Sequence, residues 1–86
     1  MQIDEVIKYP LSTEKSIRMM ESDNSLLFVV DRRAKKPEIK KAVEETFKVK
    51  VERVNVFIST GGEKRAYVKF SAESPAIDIA TQLGLM

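Results

Sequence analysis

The chain has 86 residues, 43% of them hydrophobic and 33% charged, with a formal net charge of +2; this fits one folded domain over 1–86 with a thin core, and excludes wholesale disorder. It contains neither cysteine nor histidine, which removes disulfides, thiol chemistry and the usual general base at neutral pH, and leaves a zinc site only carboxylates to draw on. The composition therefore weighs against an enzyme and indicates no catalytic residue, metal or cofactor.

Met1 to Lys8 carries Asp4 and Glu5 where a secretory signal would be basic, and no apolar segment follows, so a soluble, cytoplasmic protein is expected. Ile3 to Tyr9 reads as a short edge strand that Pro10 breaks. Ser12 or Thr13 caps a helix running to about Glu21, since either hydroxyl can accept an orphan N–H of the first turn. Ile17, Met20 and Met19 form its apolar side, and Asp23-Asn24 closes it as a turn. Ser25 to Asp31 (SLLFVVD) is a strand apolar on both faces, which requires cover on both sides of the sheet. Its Leu26–Val30 run is the longest apolar stretch, far short of a membrane span.

Pro37 to Lys48 is the clearest helix. Ile39, Ala42, Val43 and Phe47 share one face, Pro37 suits the first turn, and Glu38 and Lys48 suit the two ends of the dipole. Val49 to Ser59 follows as a strand whose inward residues are Val54, Val56 and Ile58. Val51 is out of phase with them, so an irregularity is expected near Glu52. Gly61-Gly62 marks a hairpin turn. Glu63 to Ser71 returns with Ala66, Val68 and Phe70 on one face. Ser74-Pro75 starts a last helix, with Ile77, Ala80 and Leu83 as its apolar side and Gly84 as its stop.

This order predicts an α+β fold: a split β-α-β (ferredoxin-like) antiparallel sheet of three to four strands. The Pro37 and Pro75 helices cover one face, the N-terminal helix covers part of the other, and the rest of that second face is open.

Charge is unevenly distributed along the chain. Arg32 to Lys69 holds 12 basic and 5 acidic residues, a net of +7, whereas the remainder holds 3 and 8, a net of −5. A domain with this asymmetry suits a polyanionic partner. The open face of the hairpin carries Arg53, Asn55, Phe57, Arg65, Tyr67 and Lys69. Cations neutralise phosphates, Asn reads sugars or base edges, and aromatic rings stack on bases, so this face is a candidate RNA platform. Arg32, Arg33, Lys35 and Lys36 form a second basic cluster, in a loop expected to be mobile when free. A solvated surface that needs no partner is the alternative for both.

Tyr9-Pro10-Leu11-Ser12-Thr13-Glu14-Lys15-Ser16 and Lys64-Arg65-Ala66-Tyr67-Val68-Lys69-Phe70 resemble motifs of the large-subunit ribosomal protein twenty-three family, found at the polypeptide exit tunnel. Val51-Glu52-Arg53-Val54-Asn55 and Ile39-Lys40-Lys41-Ala42-Val43-Glu44 resemble its intervening elements. The resemblance spans nearly the whole chain. It implies a ribosome-bound structural protein that binds large-subunit ribosomal RNA, touches neighbouring ribosomal proteins, and transiently helps dock the signal recognition particle and the translocation channel. It implies no small-molecule substrate and no membrane insertion. With it, Ser12, Thr13, Lys15 and Lys64 join the RNA-binding set, and Glu14, Arg18 and Glu21 become the docking residues. Glu14 stands where bacterial members meet a ribosome-bound chaperone; here that partner and the signal recognition particle both stay open.

Phe70 replaces the commoner leucine, Lys35 replaces a threonine cap, and the short Ser59–Glu63 loop resembles the archaeal type. The competing functions on the same fold are a protein-interaction module without RNA and an acylphosphatase-like enzyme. Arg53 and Asn55 superficially favour the latter, but no glycine-rich phosphate loop follows the first strand of the split unit.

Overall fold

The structure, a computed structural model, describes residues 3–84; positions 1–2 and 85–86 of the expected 1–86 domain lie outside the described residues. The elements run α1 (Ile3–Val6), β1 (Ile7–Leu11), α2 (Glu14–Asp23), β2 (Ser25–Val30), α3 (Lys36–Phe47), β3 (Val51–Ile58), β4 (Lys64–Phe70) and α4 (Ala76–Gln82). The sheet order is β1-β2-β4-β3, and each neighbouring pair is antiparallel. Since β2 and β3 both oppose β4, they are parallel to each other, with α3 as their crossover. This is the expected split β-α-β arrangement, extended by β1 to four strands.

The N-terminal segment differs from expectation. Ile3–Val6 forms a single helical turn rather than a strand, and places Val6 in the core at 1% exposure. The strand begins at Ile7 and runs through Pro10, which pairs with Phe28. Pro10 does not break the strand because β1 is at the sheet edge, where a missing N–H costs no ladder bond. Thr13 is the cap of α2: its hydroxyl accepts the Ser16 amide at 3.1 Å, and the Ser16 hydroxyl accepts the Thr13 amide at 2.7 Å. The helix continues to Asp23 and stops at Asn24, which is left-handed at φ 54°.

Every residue of β2 is buried. Leu26, Phe28 and Val30 join Ile39, Ala42, Val43, Val68, Phe70 and Ile79 in one core beneath α3 and α4. Phe28 and Phe47 stack there at 5.9 Å. A fully buried Leu, Ile, Val or Phe side chain contributes about 1.5–3 kcal/mol, and Phe70, at 1% exposure, is absorbed as core volume in place of leucine. Leu27 and Val29 point to the second face and are buried as well.

Helix α2 reaches that face only by its flank. Its buried Met20 shares a small apolar pocket with Leu26 and Ala80 on the helical side. On its other flank, Lys15 and Asp23 extend to the rim of the open face.

The irregularity expected near Glu52 is present as a register shift between Val51 and Arg53. The hairpin turn closes with the Ser59 amide donating to Glu63 and the Gly62 amide donating to Ser59, with Gly62 at φ 81°. Helix α4 is rotated from the expected phase: Ala76, Ile79 and Ala80 are buried, whereas Ile77 is 50% exposed. The helix offers two apolar stripes, one through Ile77 and one through Ala76, Ile79, Ala80 and Leu83, and the second packs on the core, where the Ala76 amide also donates to Asn24.

Candidate nucleic-acid interface

Strand alternation and register place the candidate residues in three rows across the second face. Leu11, Leu27, Tyr67 and Asn55 form one row, Tyr9, Val29, Arg65 and Phe57 the next, and Ser25, Lys69 and Arg53 the third. The centre is therefore apolar and aromatic, with cations at the margins. Phe57 and Tyr67 stack at 5.5 Å with 24° between their planes. The Lys15 ammonium lies over the Tyr67 ring, 5.9 Å from its centre. Thr13, Lys15, Leu27, Phe57, Arg65 and Tyr67 line a shallow recess here.

Three carboxylates shape the charge of this face. Glu63 accepts the Tyr9 hydroxyl at 2.8 Å and Arg65 Nε at 2.9 Å. The Tyr9 bond and the Arg65 guanidinium hold the Glu63 carboxyl below its usual range, and the same carboxylate raises the Tyr9 phenol. Asp23 lies 3.7 Å from Lys69 and 4.0 Å from Arg53, and Glu52 lies 4.0 Å from Lys69. These are long, partly exposed pairs worth about 0–1 kcal/mol each, so phosphates can replace the carboxylates at little cost.

The remaining basic residues do not join this face as one surface. Lys64 donates to the Ala34 carbonyl at 2.6 Å and so ties the hairpin base to the Arg32–Lys36 loop. Ala34 is fully buried and its amide donates to Asp31. Arg33 pairs with Asp31 at 3.1 Å, and its hydrogen bonds lower the Asp31 pKa to about 2. The loop expected to be mobile thus has three fixed points. Arg32, Lys35 and Lys36 remain exposed on it. The Lys35 amide donates to Glu38 at 3.1 Å, which is the helix-to-cap half of a capping box; Lys35 itself has no side-chain acceptor to supply the threonine's half.

On α2, Glu14 and Arg18 pair at 2.8 Å, and both are exposed, as is Glu21. They lie opposite buried Ser16 and Met20 on the helical wheel. Ser12 is exposed beside the pocket that holds Met20. Among the described residues, no group of three or more acidic side chains could hold a metal ion, and no helix is long and apolar enough to cross a membrane.

Sequence patterning missed Glu63, Tyr9 and Asp23 as parts of this face. Tyr9 is legible only once Ile7–Leu11 is recognised as a strand through Pro10; Glu63 reaches Arg65 locally, two positions on, but its bond to Tyr9 and the approach of Asp23 to Lys69 and Arg53 cross the fold, which no local pattern shows.

A family model described as Ribosomal protein L23 matches residues 5–78. The chain is 44% identical over 81 residues to the large ribosomal subunit protein uL23 of Trypanosoma brucei brucei, a match that covers 94% of this chain and 49% of that protein. It therefore spans about half the length of the curated relative it matches.

Proposed function

The chain belongs to the ribosomal protein L23 family, whose members are structural components of the ribosome and not enzymes, and on that premise we propose that it binds large-subunit ribosomal RNA beside the polypeptide exit tunnel. The observation that carries this reading is the stacked Phe57–Tyr67 pair set among Lys15, Arg65, Arg53 and Lys69 on the sheet face opposite α3 and α4. Asn55, beside Tyr67 across the strand pair, adds a hydrogen-bonding group for sugar or base. Arg32, Arg33, Lys35, Lys36 and Lys64 supply a second phosphate contact at the hairpin end, with Lys64 acting mainly as the tie that shapes the loop.

Ser12 and Thr13 border the face where β1 passes into α2. Glu14, Arg18 and Glu21, on the outward side of α2, remain available to neighbouring ribosomal proteins and to transient partners such as the signal recognition particle and the translocation channel. In this reading the protein works ribosome-bound in the cytoplasm, and its short hairpin gives it the archaeal type of tunnel edge.

Sedimentation with large ribosomal subunits through a high-salt cushion tests the proposal. The chain is expected to pellet with the subunits, and a variant carrying Arg65→Glu and Lys69→Glu is expected to stay behind. If the unaltered chain also stays behind, the ribosomal role is wrong; if both pellet equally, the assigned surface is wrong.

A further inference from the structure

We propose that the recess between the N-terminus of α2 and the hairpin binds one unstacked nucleotide of single-stranded RNA, its base against the Phe57–Tyr67 ring pair and its phosphates on Lys15 and Arg65. This rests on the RNA-binding reading and narrows it from a charged face to a single pocket.

The recess measures about 350 Å³, within the roughly 300–1,000 Å³ of pockets that take small organic groups. Its floor is the buried Leu27 side chain and its wall is the aromatic pair. Phe57 is 38% exposed although nothing in the hairpin requires an aromatic ring in water there. A base that lies on a ring must have a free π-face. Bases inside a duplex have both faces occupied, so a recessed ring pair serves only a base that has left its stack.

The polar groups around the recess are arranged for the rest of a nucleotide. The Tyr67 hydroxyl makes no hydrogen bond among the described residues, and no described carboxylate pairs with Lys15. Glu63 holds only Nε of Arg65, which leaves the two terminal nitrogens of the guanidinium as a fork for phosphate oxygens. Glu63 is thus a positioning residue, locked in turn by Tyr9 from the opposite edge of the sheet. The neighbouring hollow lined by Thr13, Glu14, Lys15 and Arg18 has no aromatic ring to stack on and contains a carboxylate, so it does not compete for a base.

The test uses the 86-residue protein with a labelled nine-nucleotide single-stranded RNA and a blunt RNA duplex of equal charge, read by fluorescence anisotropy over a salt series. The single strand is expected to bind at least tenfold more tightly than the duplex. Phe57→Ala and Phe57→Leu should each weaken single-strand binding about tenfold without changing the log–log salt slope, because stacking is lost and no phosphate contact is. Lys15→Ala should flatten that slope by about 0.7. Circular dichroism verifies that the variants fold; Phe57→Leu, which keeps apolar area, guards against a collapsed hairpin. Equal binding of the two RNA forms, or unchanged affinity in both Phe57 variants, overturns the pocket. If the subunits still retain the unaltered chain in that case, RNA binding stands without the pocket; if they do not, both fall.

Discussion

The side-chain carbonyl of Asn24 accepts the backbone amide of Ala76 at 2.7 Å, joining the end of α2 to the start of α4 across 52 positions of sequence. Its amide group is shared among the carbonyls of Phe70, Ser71 and Ser74 at 3.2, 3.1 and 3.3 Å. Asn24 is also the left-handed stop of α2, a conformation that asparagine tolerates better than most residues. One residue therefore ends one helix, caps another and pins the chain that follows β4.

Replacing Asn24 should be among the most damaging single changes outside the apolar core. Asn24→Ala leaves the buried Ala76 amide without a partner and strains the left-handed turn, at an expected cost of about 2–4 kcal/mol in urea unfolding. Asn24→Gly removes the strain but not the lost bonds, and should fall between the two. Equal stability of all three proteins would show that the contact is incidental.

Asp23 limits how strongly Lys69 and Arg53 attract a polyanion, because it lies 3.7 and 4.0 Å from them. Asp23→Asn should therefore tighten RNA binding severalfold at low salt, with the advantage shrinking as salt rises. Arg65→Glu should act in the opposite sense and flatten the salt slope. Both are read from the same titration, and weaker binding by Asp23→Asn would contradict the placement of these cations.

The Asp31 carboxyl should titrate near 2, against an ordinary 3.8, since Arg33 donates to it from both backbone and side chain. A depressed pKa means the contribution to stability is complete above the unfolded value and disappears as pH falls from about 4 through 2. Carbon NMR of the carboxylate follows this directly. Arg33→Ala should move the midpoint back towards 3.8 and make the loop after β2 the first region to loosen in acid.

Lys64→Met should free the Arg32–Lys36 loop without opening the sheet. It removes a partly buried charged donor from the Ala34 carbonyl, worth about 1–2 kcal/mol after allowance for solvent. Amide exchange should accelerate at Ala34 and through the first turn of α3, while β2 and β4 stay protected.

Local chemistry made much of the fold legible. The period of α3, the alternation of β4, the glycine pair at the turn and the out-of-phase Val51 each depend on residues within a few positions of one another. The aromatic and basic side chains of the hairpin could be read as one face for the same reason, since strand alternation alone places them there. The helix of 76–82 could not be phased this way, because Ile77 and Ile79 lie on competing apolar stripes and only the packing against the core chose the Ile79 side.

The candidate interface divides along the same line. By itself the sequence determined which side chains alternate onto the open face and that they are mostly cationic and aromatic, because periodicity is a property of the local backbone. Only the tertiary structure decided which of those charges remain available. It tied Lys64 to Ala34, locked Glu63, the neighbour of Arg65, with Tyr9, loosely balanced Lys69 with Asp23, and left Lys15 over the ring of Tyr67. Electrostatic partners are chosen by proximity in space, and the contacts of Tyr9 with Glu63 and of Lys64 with Ala34 span 54 and 30 positions, separations at which no sequence pattern carries the information.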